Sequence, residues 1–308
     1  MRRRWKIVAL ITGIILILAA PVLVFLSRPP VLIVVDASFT ALYGQQRMLL
    51  RQIRSSLILF RQVKPVMIAE GAGPDIVPFA IGEVASRSFS QPYCVLFPNS
   101  YAESVPRYRE QFPGVPAILL EGRISSGIGA RTADNGGLFV FSTDQEKDFY
   151  RMGLCAAIFS GERREKIIVF QDQSTQESAR NAFVEGLREG GNGTEPLFLN
   201  SFSELLNFSD ISCVVLAGSG AEYFERNLEY PVILCTWLDP DLTAREAALI
   251  FDDSPWGLAV PAARMLRENQ NRGRLPSDLL ILPERIADKG VLRQLKKIIH
   301  DFRQNSTE

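Results

Sequence analysis

Short apolar runs alternate with amphipathic runs of helix length from Val31 onward, and this alternation limits the possible folds more than any other feature. The short runs are rich in β-branched residues and stay apolar throughout, which predicts strands covered on both faces of a sheet. Repeated strand–helix units imply parallel strands joined by right-handed crossovers, and hence a doubly wound α/β architecture. The predicted strands are Val31–Asp36, Val66–Ala69, Cys94–Phe97, Ala117–Leu120, Leu138–Phe141, Ile167–Phe170, Pro196–Leu199, Cys213–Ala217, Val232–Cys235 and Ala248–Phe251.

About ten strands favour two lobes, each a parallel sheet flanked by helices, over a single sheet. A loop rich in Gly and Ser, Arg123–Gly137, divides the strands into two series of similar build. We expect residues 29–137 with about 255–280 in the first lobe, and residues 138–254 with about 281–308 in the second, so that the chain crosses between the lobes more than once. The predicted helices are Ala41–Phe60, Asp75–Arg87, Phe149–Phe159, Thr175–Glu189, Ala221–Leu228, Pro255–Asn269 and Lys289–Gln304, with a late strand-like run at Leu279–Pro283.

The N-terminus carries the apolar run Ile7–Leu26 directly after the basic cluster Arg2–Lys6. About twenty residues that rise ~1.5 Å each match the ~30 Å hydrocarbon core of a bilayer. Because the basic residues precede the run, residues 1–28 are expected to form a cytoplasmic stub and one transmembrane signal-anchor helix, with the main domain in the periplasm. The alternative is a cleaved secretory signal, although this run is longer than the apolar core of most signals.

Charge and cysteine content narrow the function classes. The 34 basic and 34 acidic residues give a formal net charge of zero, and no basic face for nucleic acid is expected beyond the N-terminus. Four cysteines in an oxidising compartment allow disulfides. Cys213 and Cys235, however, would be offset by about two residues on neighbouring strands, which puts their Cα atoms ~8 Å apart, too far for a bridge. Buried thiols are therefore favoured.

Enzyme classes find little support in the sequence. The one histidine, His300, lies in a Lys-rich helical pattern near the C-terminus, which argues against histidine-dependent triads and histidine-rich metal sites. No Gly-rich segment matches a phosphate loop or a dinucleotide fingerprint. We predict a protein without catalytic residues, cofactor or metal.

Six stretches, in this order and spacing, are similar to one known fold family: Val34–Thr40 (VVDASFT), Thr143-Asp144 followed by Arg151–Ala157 (RMGLCAA), Lys166–Gln171, Ser178–Leu187 (SARNAFVEGL), Asp252–Ala259 (DDSPWGLA) and Ile281–Pro283. The chain resembles the type I periplasmic binding proteins, whose fold is shared by sugar-binding proteins, the basic membrane protein nucleoside-binding family and the effector domains of lac-repressor-like regulators. The resemblance covers nearly all of residues 31–304. It implies two lobes with a ligand between them, and late crossings at the last two stretches. Thr40 stands where the nucleoside-binding members carry Asn.

Ligands of open parallel sheets bind outside the carboxyl ends of the strands, so two facing lobes would line one cleft with both sets of strand ends. Carboxylates and amides can bind the hydroxyls of a sugar or ribose, and aromatic rings can stack on a ligand ring. The predicted ligand-binding residues are Asp36, Ser38, Phe39, Asn99, Asp144, Asp172, Ser219, Trp237, Asp239 and Asp252. Four more candidates follow strands in the same way: Glu70, Glu121, Gln173 and Trp256.

Some of these candidates have structural explanations that the sequence leaves open. Asp172 can cap the helix that follows it. Asp252 and Asp253 precede a Ser-Pro pair suited to a helix start. One of the two can therefore be only a polar residue of the hinge that does not bind the ligand. Trp237 can bind a ligand or pack beneath the rim of the cleft. The sharpest expectation is that Asp36 of the first lobe faces Trp237 of the second across the cleft. Asp36 would supply a charge-assisted hydrogen bond to the ligand, and Trp237 would supply a stacking face.

The leading hypothesis is a membrane-anchored, extracytoplasmic solute-binding protein that closes on a small polar ligand, of the sugar or nucleoside class, for transport or sensing. Its partners would be that ligand, the membrane, and an ABC-type transporter permease or a membrane sensor. The alternative is an interaction or assembly protein built on a degenerate periplasmic-binding fold that has lost its ligand. A transcription regulator is disfavoured, because the apolar run occupies the segment where such regulators carry a DNA-binding motif.

Overall fold

The structure, a computed structural model, describes residues 20–305 except 70, 89, 123–136, 162–164, 172–174, 202, 205–207, 218–229 and 236–246, and it leaves out the side chains of residues 38–47 and 303–305. The strands are β1 Val31–Val35, β2 Val63–Met67, β3 Cys94–Pro98, β4 Ala117–Gly122, β5 Leu138–Thr143, β6 Lys166–Phe170, β7 Leu197–Leu199, β8 Ile211–Leu216, β9 Val232–Cys235, β10 Leu249–Asp252, β11 Arg272–Leu275 and β12 Asp278–Ile281. The helices are α1 Ala37–Leu59, α2 Ile76–Ser86, α3 Ser104–Gln111, α4 Gln145–Ser160, α5 Glu177–Glu189, α6 Pro255–Arg267 and α7 Lys289–Asn305.

The strands form two six-stranded sheets, which confirms the predicted pair of α/β lobes. Sheet A has the order β11-β5-β4-β3-β1-β2, and sheet B has the order β12-β10-β9-β8-β6-β7. All neighbouring strands are parallel except β10 and β12, which are antiparallel. Every residue of β1, β3 and β8 is buried, as expected for strands that run apolar and are covered on both faces.

The helices cover these sheets with apolar faces. On one face of sheet A, Leu32 and Val34 share a buried cluster with Ile81 of α2 and Tyr108 of α3. Helices α4, α5 and α7 form a second cluster with sheet B. A third cluster contains α6 together with strands of both sheets, so that the two lobes share one continuous part of the core.

The chain crosses between the lobes at three short connections in its described part. Asp144 links β5 of sheet A to α4, which packs on sheet B. Asp253 and Ser254 link β10 of sheet B to α6, which packs on β1 and β3. Pro276 and Ser277 link β11 of sheet A to β12 of sheet B. Each crossing leaves the carboxyl end of a parallel strand, and therefore the carboxyl ends of both sheets lie at the junction of the lobes.

One expectation about the lobes is wrong. The sequence assigns Leu138 and the residues after it to the second lobe, but β5 pairs with β4 and β11 in sheet A. The lobe boundary lies at Asp144 and not at Gly137. The segment before Gly137 has the Gly- and Ser-rich composition of a linker, whereas the observed crossing is a single residue between a strand and a helix and leaves no compositional signal.

The other differences concern edge strands and a short helix. β2 begins three residues earlier than predicted because it includes Pro65, which a strand tolerates at the edge of a sheet. β11 is polar, with the sequence RGRL, and forms the opposite edge of sheet A, so that its pattern does not look like a strand. Helix α3 is short and also escaped prediction. The predicted helix Ala221–Leu228 lies outside the described residues.

Most of the N-terminal apolar run also lies outside the described residues. Residues 20–27 are helical, and β1 begins four residues after Ser27. In the part of the chain that the structure describes, no helix combines the length and the apolar content needed to cross a bilayer. The predicted anchor therefore stays a prediction.

Candidate functional site

The order of the strands points to one position in each sheet where a ligand fits best. In sheet A the chain moves from β1 to β2 on one side and then returns to β3 on the other, so that a crevice opens at the carboxyl ends of β1 and β3. In sheet B the same reversal occurs between β6 and β8. Because the crossings bring both sets of carboxyl ends to the junction of the lobes, the two crevices lie on the same side of their sheets, toward that junction.

Asp36 lies at the crevice of sheet A. It follows β1 directly, and its side chain is 7% exposed. The hydroxyl of Tyr101, in the 3-10 turn after β3, donates a hydrogen bond of 2.8 Å to Asp36 Oδ2. Asn99 begins that same turn and is exposed. The structure thus brings Asp36 and Asn99 to the ends of adjacent strands, as the sequence predicts, and adds Tyr101, which the sequence analysis did not identify.

Asp144 has a structural function at the first crossing. Its carboxylate accepts a hydrogen bond of 3.2 Å from Lys147 N and caps α4. Its own backbone N–H donates to Leu275 O at 2.9 Å, which ties the first crossing to the end of β11. Asp144 is half-buried at the junction of the lobes, so it stays a candidate with a capping role as well.

Two other candidates are not ligand residues. Asp252 is fully buried, and its carboxylate forms an ion pair with Arg51 and accepts a hydrogen bond of 3.0 Å from Ser254 N. Trp256 is 1% exposed and belongs to the shared core beside α6. Neither side chain offers a surface to a ligand, because Asp252 is paired with Arg51 and Ser254 N and Trp256 is packed in the shared core.

Several predicted site residues cannot be placed. The backbone of Ser38 and Phe39 forms the first turn of α1, but their side chains lie outside the described set. Asp172, Ser219, Trp237 and Asp239 lie outside the described residues, and so do Glu70 and Gln173. The expected pairing of Asp36 with Trp237 therefore stays a prediction. Glu121 is 8% exposed within β4.

An ion-pair cluster joins the second and third crossings. Arg51 of α1 contacts the carboxylates of Asp252 and Asp278, the latter at 3.5 Å, and Arg54 contacts Asp278 at 3.3 Å. Asp252 and Asp278 lie directly opposite each other on β10 and β12. Two opposed carboxylates would repel each other, and Arg51, which is 7% exposed, neutralises that repulsion in a buried setting. The first and second crossings are also joined, since Thr143 Oγ1 donates to Asp253 Oδ2 at 3.2 Å.

A second buried carboxylate, Asp148 of α4, holds the third crossing. It is fully buried and accepts hydrogen bonds from Ser277 N at 3.0 Å and from Arg151 Nη1 at 3.2 Å. Arg151 Nη1 also donates to Ser277 O at 2.8 Å. Burial raises the pKa of Asp148 from its ordinary 3.8 to about 6, although the Arg151 charge and the Ser277 hydrogen bonds oppose the rise.

This shift predicts a distinctive dependence of stability on pH. Between about pH 4 and pH 6, Asp148 is protonated in the folded protein but ionised in the unfolded chain. The stabilisation is therefore fully present below about pH 4 and is lost as the pH rises through 6. Between pH 7 and pH 5, the wild-type protein should gain about 1.4 kcal/mol of unfolding free energy relative to Asp148→Asn. Urea unfolding of both proteins at the two pH values measures this difference, and an equal gap at both would contradict it.

The cysteines are buried thiols, as the sequence analysis favoured. Cys94, Cys155, Cys213 and Cys235 are each 0% exposed, and none forms a disulfide within the described residues. Burial raises the pKa of the Cys155 thiol to about 12 and raises the pKa of Cys94 and Cys213 as well. A buried, protonated thiol is inert toward thiol reagents.

Comparison with known proteins identifies the fold. No protein-family model matches the chain, and no curated protein matches it. An ABC transporter solute-binding protein from Conexibacter woesei DSM 14684 is similar in structure, with a TM-score of 0.52 and 13% identity over 90% of this chain and 97% of that one. A transcriptional activator of the comK gene from Bacillus halodurans gives a TM-score of 0.51 and 15% identity over 89% and 97%.

These similarities show that the chain has the type I periplasmic binding protein fold that the sequence resembles. At such low identity they show the fold alone, and one fold can carry both binding proteins and regulators. The expected absence of a nucleic-acid partner therefore stays a prediction.

Proposed function

We propose that this protein is an extracytoplasmic solute-binding protein that closes its two lobes on a small polar ligand, held at a membrane by its N-terminal apolar run. The ligand would serve transport through an ABC-type permease or sensing by a membrane protein. We place the ligand in the sugar or nucleoside class because the candidate side chains are carboxylates, amides and aromatic rings, which bind hydroxyls and stack on rings.

One observation carries this proposal. Three crossings of one or two residues each bring the carboxyl ends of both sheets to one junction, and Asp36 with Tyr101 occupies the crevice between β1 and β3 there. Connections this short allow the lobes to open and close as bodies while the strand ends stay at the junction. The similarity to a solute-binding protein of known structure supports the same reading.

A ligand screen by thermal unfolding tests the proposal directly. Binding to the native state alone stabilises a protein by about 2.7 kcal/mol at a ligand concentration of 100 Kd. For a domain of this size, each kcal/mol raises Tm by about 2–4 °C. Monosaccharides and nucleosides should include at least one compound that raises Tm by several degrees, while amino acids serve as the comparison class. If a broad panel of such solutes left Tm unchanged, the proposal would be wrong.

Asp36→Ala tests the proposed site with the ligand that the screen identifies. Loss of a hydrogen bond to a charged group costs about 1.5–3 kcal/mol, which is roughly a ten- to hundredfold loss of affinity. Isothermal titration calorimetry of both proteins measures the change in Kd.

Tyr101→Phe is the matched control. It removes the hydroxyl that donates to Asp36 but keeps the carboxylate, so that the affinity should stay within about threefold of the wild type if the carboxylate contacts the ligand. If Asp36→Ala lowered Tm without changing the affinity, Asp36 would be a structural acid held by Tyr101, and the assignment of the site would fail.

A second candidate function is a ligand-free interaction or assembly protein on the same fold. The burial of Asp252 and Trp256 favours it, because two residues that would be expected to face a ligand instead stabilise the junction. The thermal screen separates the two functions, since this alternative predicts no stabilising solute.

A further inference from the structure

Two arginines of helix α1 connect the first lobe directly to the second. The helix packs on β1 and β2 of sheet A and therefore belongs to the first lobe. Arg51 and Arg54 of this helix nevertheless pair with carboxylates at the ends of β10 and β12, which are strands of sheet B. We call Arg51, Asp252 and Asp278 the α1 strap. It joins the lobes through side chains, in addition to the three crossings of the backbone.

The burial of the strap makes it costly to break. Arg51 and Asp252 are both buried, and Asp252 is buried completely. A buried charge that loses its partner stays desolvated, so that a state in which such a pair is broken is disfavoured by about a hundredfold or more. Arg54 is 45% exposed, and water can replace its carboxylate partner. A rotation of the lobes that separated Arg51 from Asp252 would therefore be rare.

The backbone beside the strap has little freedom of its own. Asp252 Oδ1 accepts a hydrogen bond of 3.0 Å from Ser254 N, and Ser254 Oγ accepts one of 3.4 Å from Gly257 N at the start of α6. A Cβ atom at Gly257 would overlap Asp252 O, so that α6 lies directly against the end of β10. Because α6 packs on β1 and β3, this contact is a second link between the end of β10 and the first lobe.

The second lobe holds the same strand ends from the other side. Arg151 of α4 donates to Ser277 O at 2.8 Å, and its guanidinium lies 5.6 Å from the centroid of the Phe251 ring. Phe251 and Asp252 are consecutive residues of β10, so that their side chains point to opposite faces of the sheet. Arg51 and Arg151 therefore contact the ends of β10 and β12 from opposite faces, one from each lobe.

We propose that the α1 strap sets the resting angle between the two lobes, so that the unliganded protein holds a single arrangement. Because the strap lies at the second and third crossings, the lobes can turn about it while its ion pair stays intact. A resting arrangement that is fixed before binding spares a ligand part of the entropic cost of ordering the lobes. The inference concerns the unliganded chain, and it holds whether or not the proposed ligand exists.

Double electron–electron resonance tests this restraint on the full, unliganded chain in detergent. Phe79→Cys on α2 of the first lobe and Asn181→Cys on α5 of the second place one spin label on each lobe, and both positions are exposed. The four native thiols are buried and do not take the label. With an intact strap, the labelled protein should give one narrow distance peak.

Variants of the strap change this distance distribution in a defined way. Arg51→Met removes the charge and should add a second distance population of about 10% of the molecules or more. The double variant Arg51→Met with Asp252→Leu makes the same test in a protein that regains part of its stability. Because Arg51 reaches both carboxylates through Nη1, the ammonium of Arg51→Lys can take that place and should retain the single peak.

Arg87→Met is the matched control. Arg87 is an exposed arginine that pairs with Glu83 within the first lobe, so that its loss removes an ion pair that does not connect the lobes. The labelled Arg87→Met protein should give the same narrow peak as the protein with an intact strap.

Each result decides the proposal. One peak with the intact strap and in Arg51→Lys, together with a second population in the double variant, supports the strap as the restraint. A broad or double distribution with the intact strap overturns it, because the unliganded lobes would not hold one angle. A single narrow peak in the double variant also overturns it and assigns the restraint to the shared apolar core around α6. A second population in Arg51→Lys or Arg87→Met overturns it as well, because the effect would not follow the charge between the lobes.

Discussion

Arg51→Met should lower the unfolding free energy by about 3–5 kcal/mol, because it leaves a buried carboxylate without its counter-charge. Asp252 is fully buried, and Asp278 opposes it across β10 and β12. Without Arg51, the two carboxylates repel each other at the point where the chain crosses between the lobes. Methionine preserves most of the length of the arginine stem, so that the loss reports the charge and not a cavity. Urea unfolding at pH 7 measures the difference.

Arg54→Met is the matched control for Arg51→Met. Arg54 lies on the same helix and pairs with the same Asp278, but its side chain is 45% exposed. An exposed pair of this kind contributes at most about 1 kcal/mol. The double variant Arg51→Met with Asp252→Leu should recover part of the lost stability, because an apolar pair can replace a buried ion pair at little cost, although Ser254 N then loses its acceptor. If Arg51→Met and Arg54→Met were equally mild, the buried cluster would not hold the crossings together.

The central strands could be predicted from the sequence because they are buried on both faces. β1 and β3 are apolar at every position and β8 at every position except Ser212, and their predicted bounds agree with the structure to within one or two residues. The edge strands were harder for physical reasons. An edge strand has one unpaired side and tolerates Pro65 in β2 and the charged residues of β11, so that neither carries a clear apolar pattern.

The candidate site could be predicted only in outline. Polar residues that follow apolar strands can be recognised from the sequence, and Asp36 and Asn99 do follow β1 and β3, at the crevice between these strands. Sequence reasoning could not tell a side chain that faces a cleft from one buried beneath it. The Asp252 carboxylate forms an ion pair with Arg51, which lies about 200 residues earlier in the sequence, on a helix that does not mark it as a partner. Such pairings depend on tertiary packing, which no local spacing encodes.

The two glycines at the contact of α4 and α5 explain part of the resemblance in physical terms. Gly153 and Gly186 lie in the stretches Arg151–Ala157 and Ser178–Leu187, which are similar to the family pattern. A Cβ atom at Gly153 would overlap Phe183 O, and one at Gly186 would overlap Tyr150 O. Glycine inside a helix costs about 1 kcal/mol relative to alanine, so that its presence at both positions indicates a contact that excludes any side chain.

Gly186→Ala should therefore destabilise the protein by about 3 kcal/mol, at the upper end of the range for overpacking, because the added methyl meets backbone atoms that cannot rotate away. The two helices would have to separate, and this would disturb the buried cluster that α4, α5 and sheet B share.

Gly193→Ala is the matched control, since a Cβ there has nothing within 4 Å. It should change the stability by no more than about 1 kcal/mol, through the entropy of the unfolded chain. Urea unfolding of both variants measures the contrast. Equal stabilities would mean that α4 and α5 lie farther apart than the structure places them, and that the glycines of this motif serve no packing purpose.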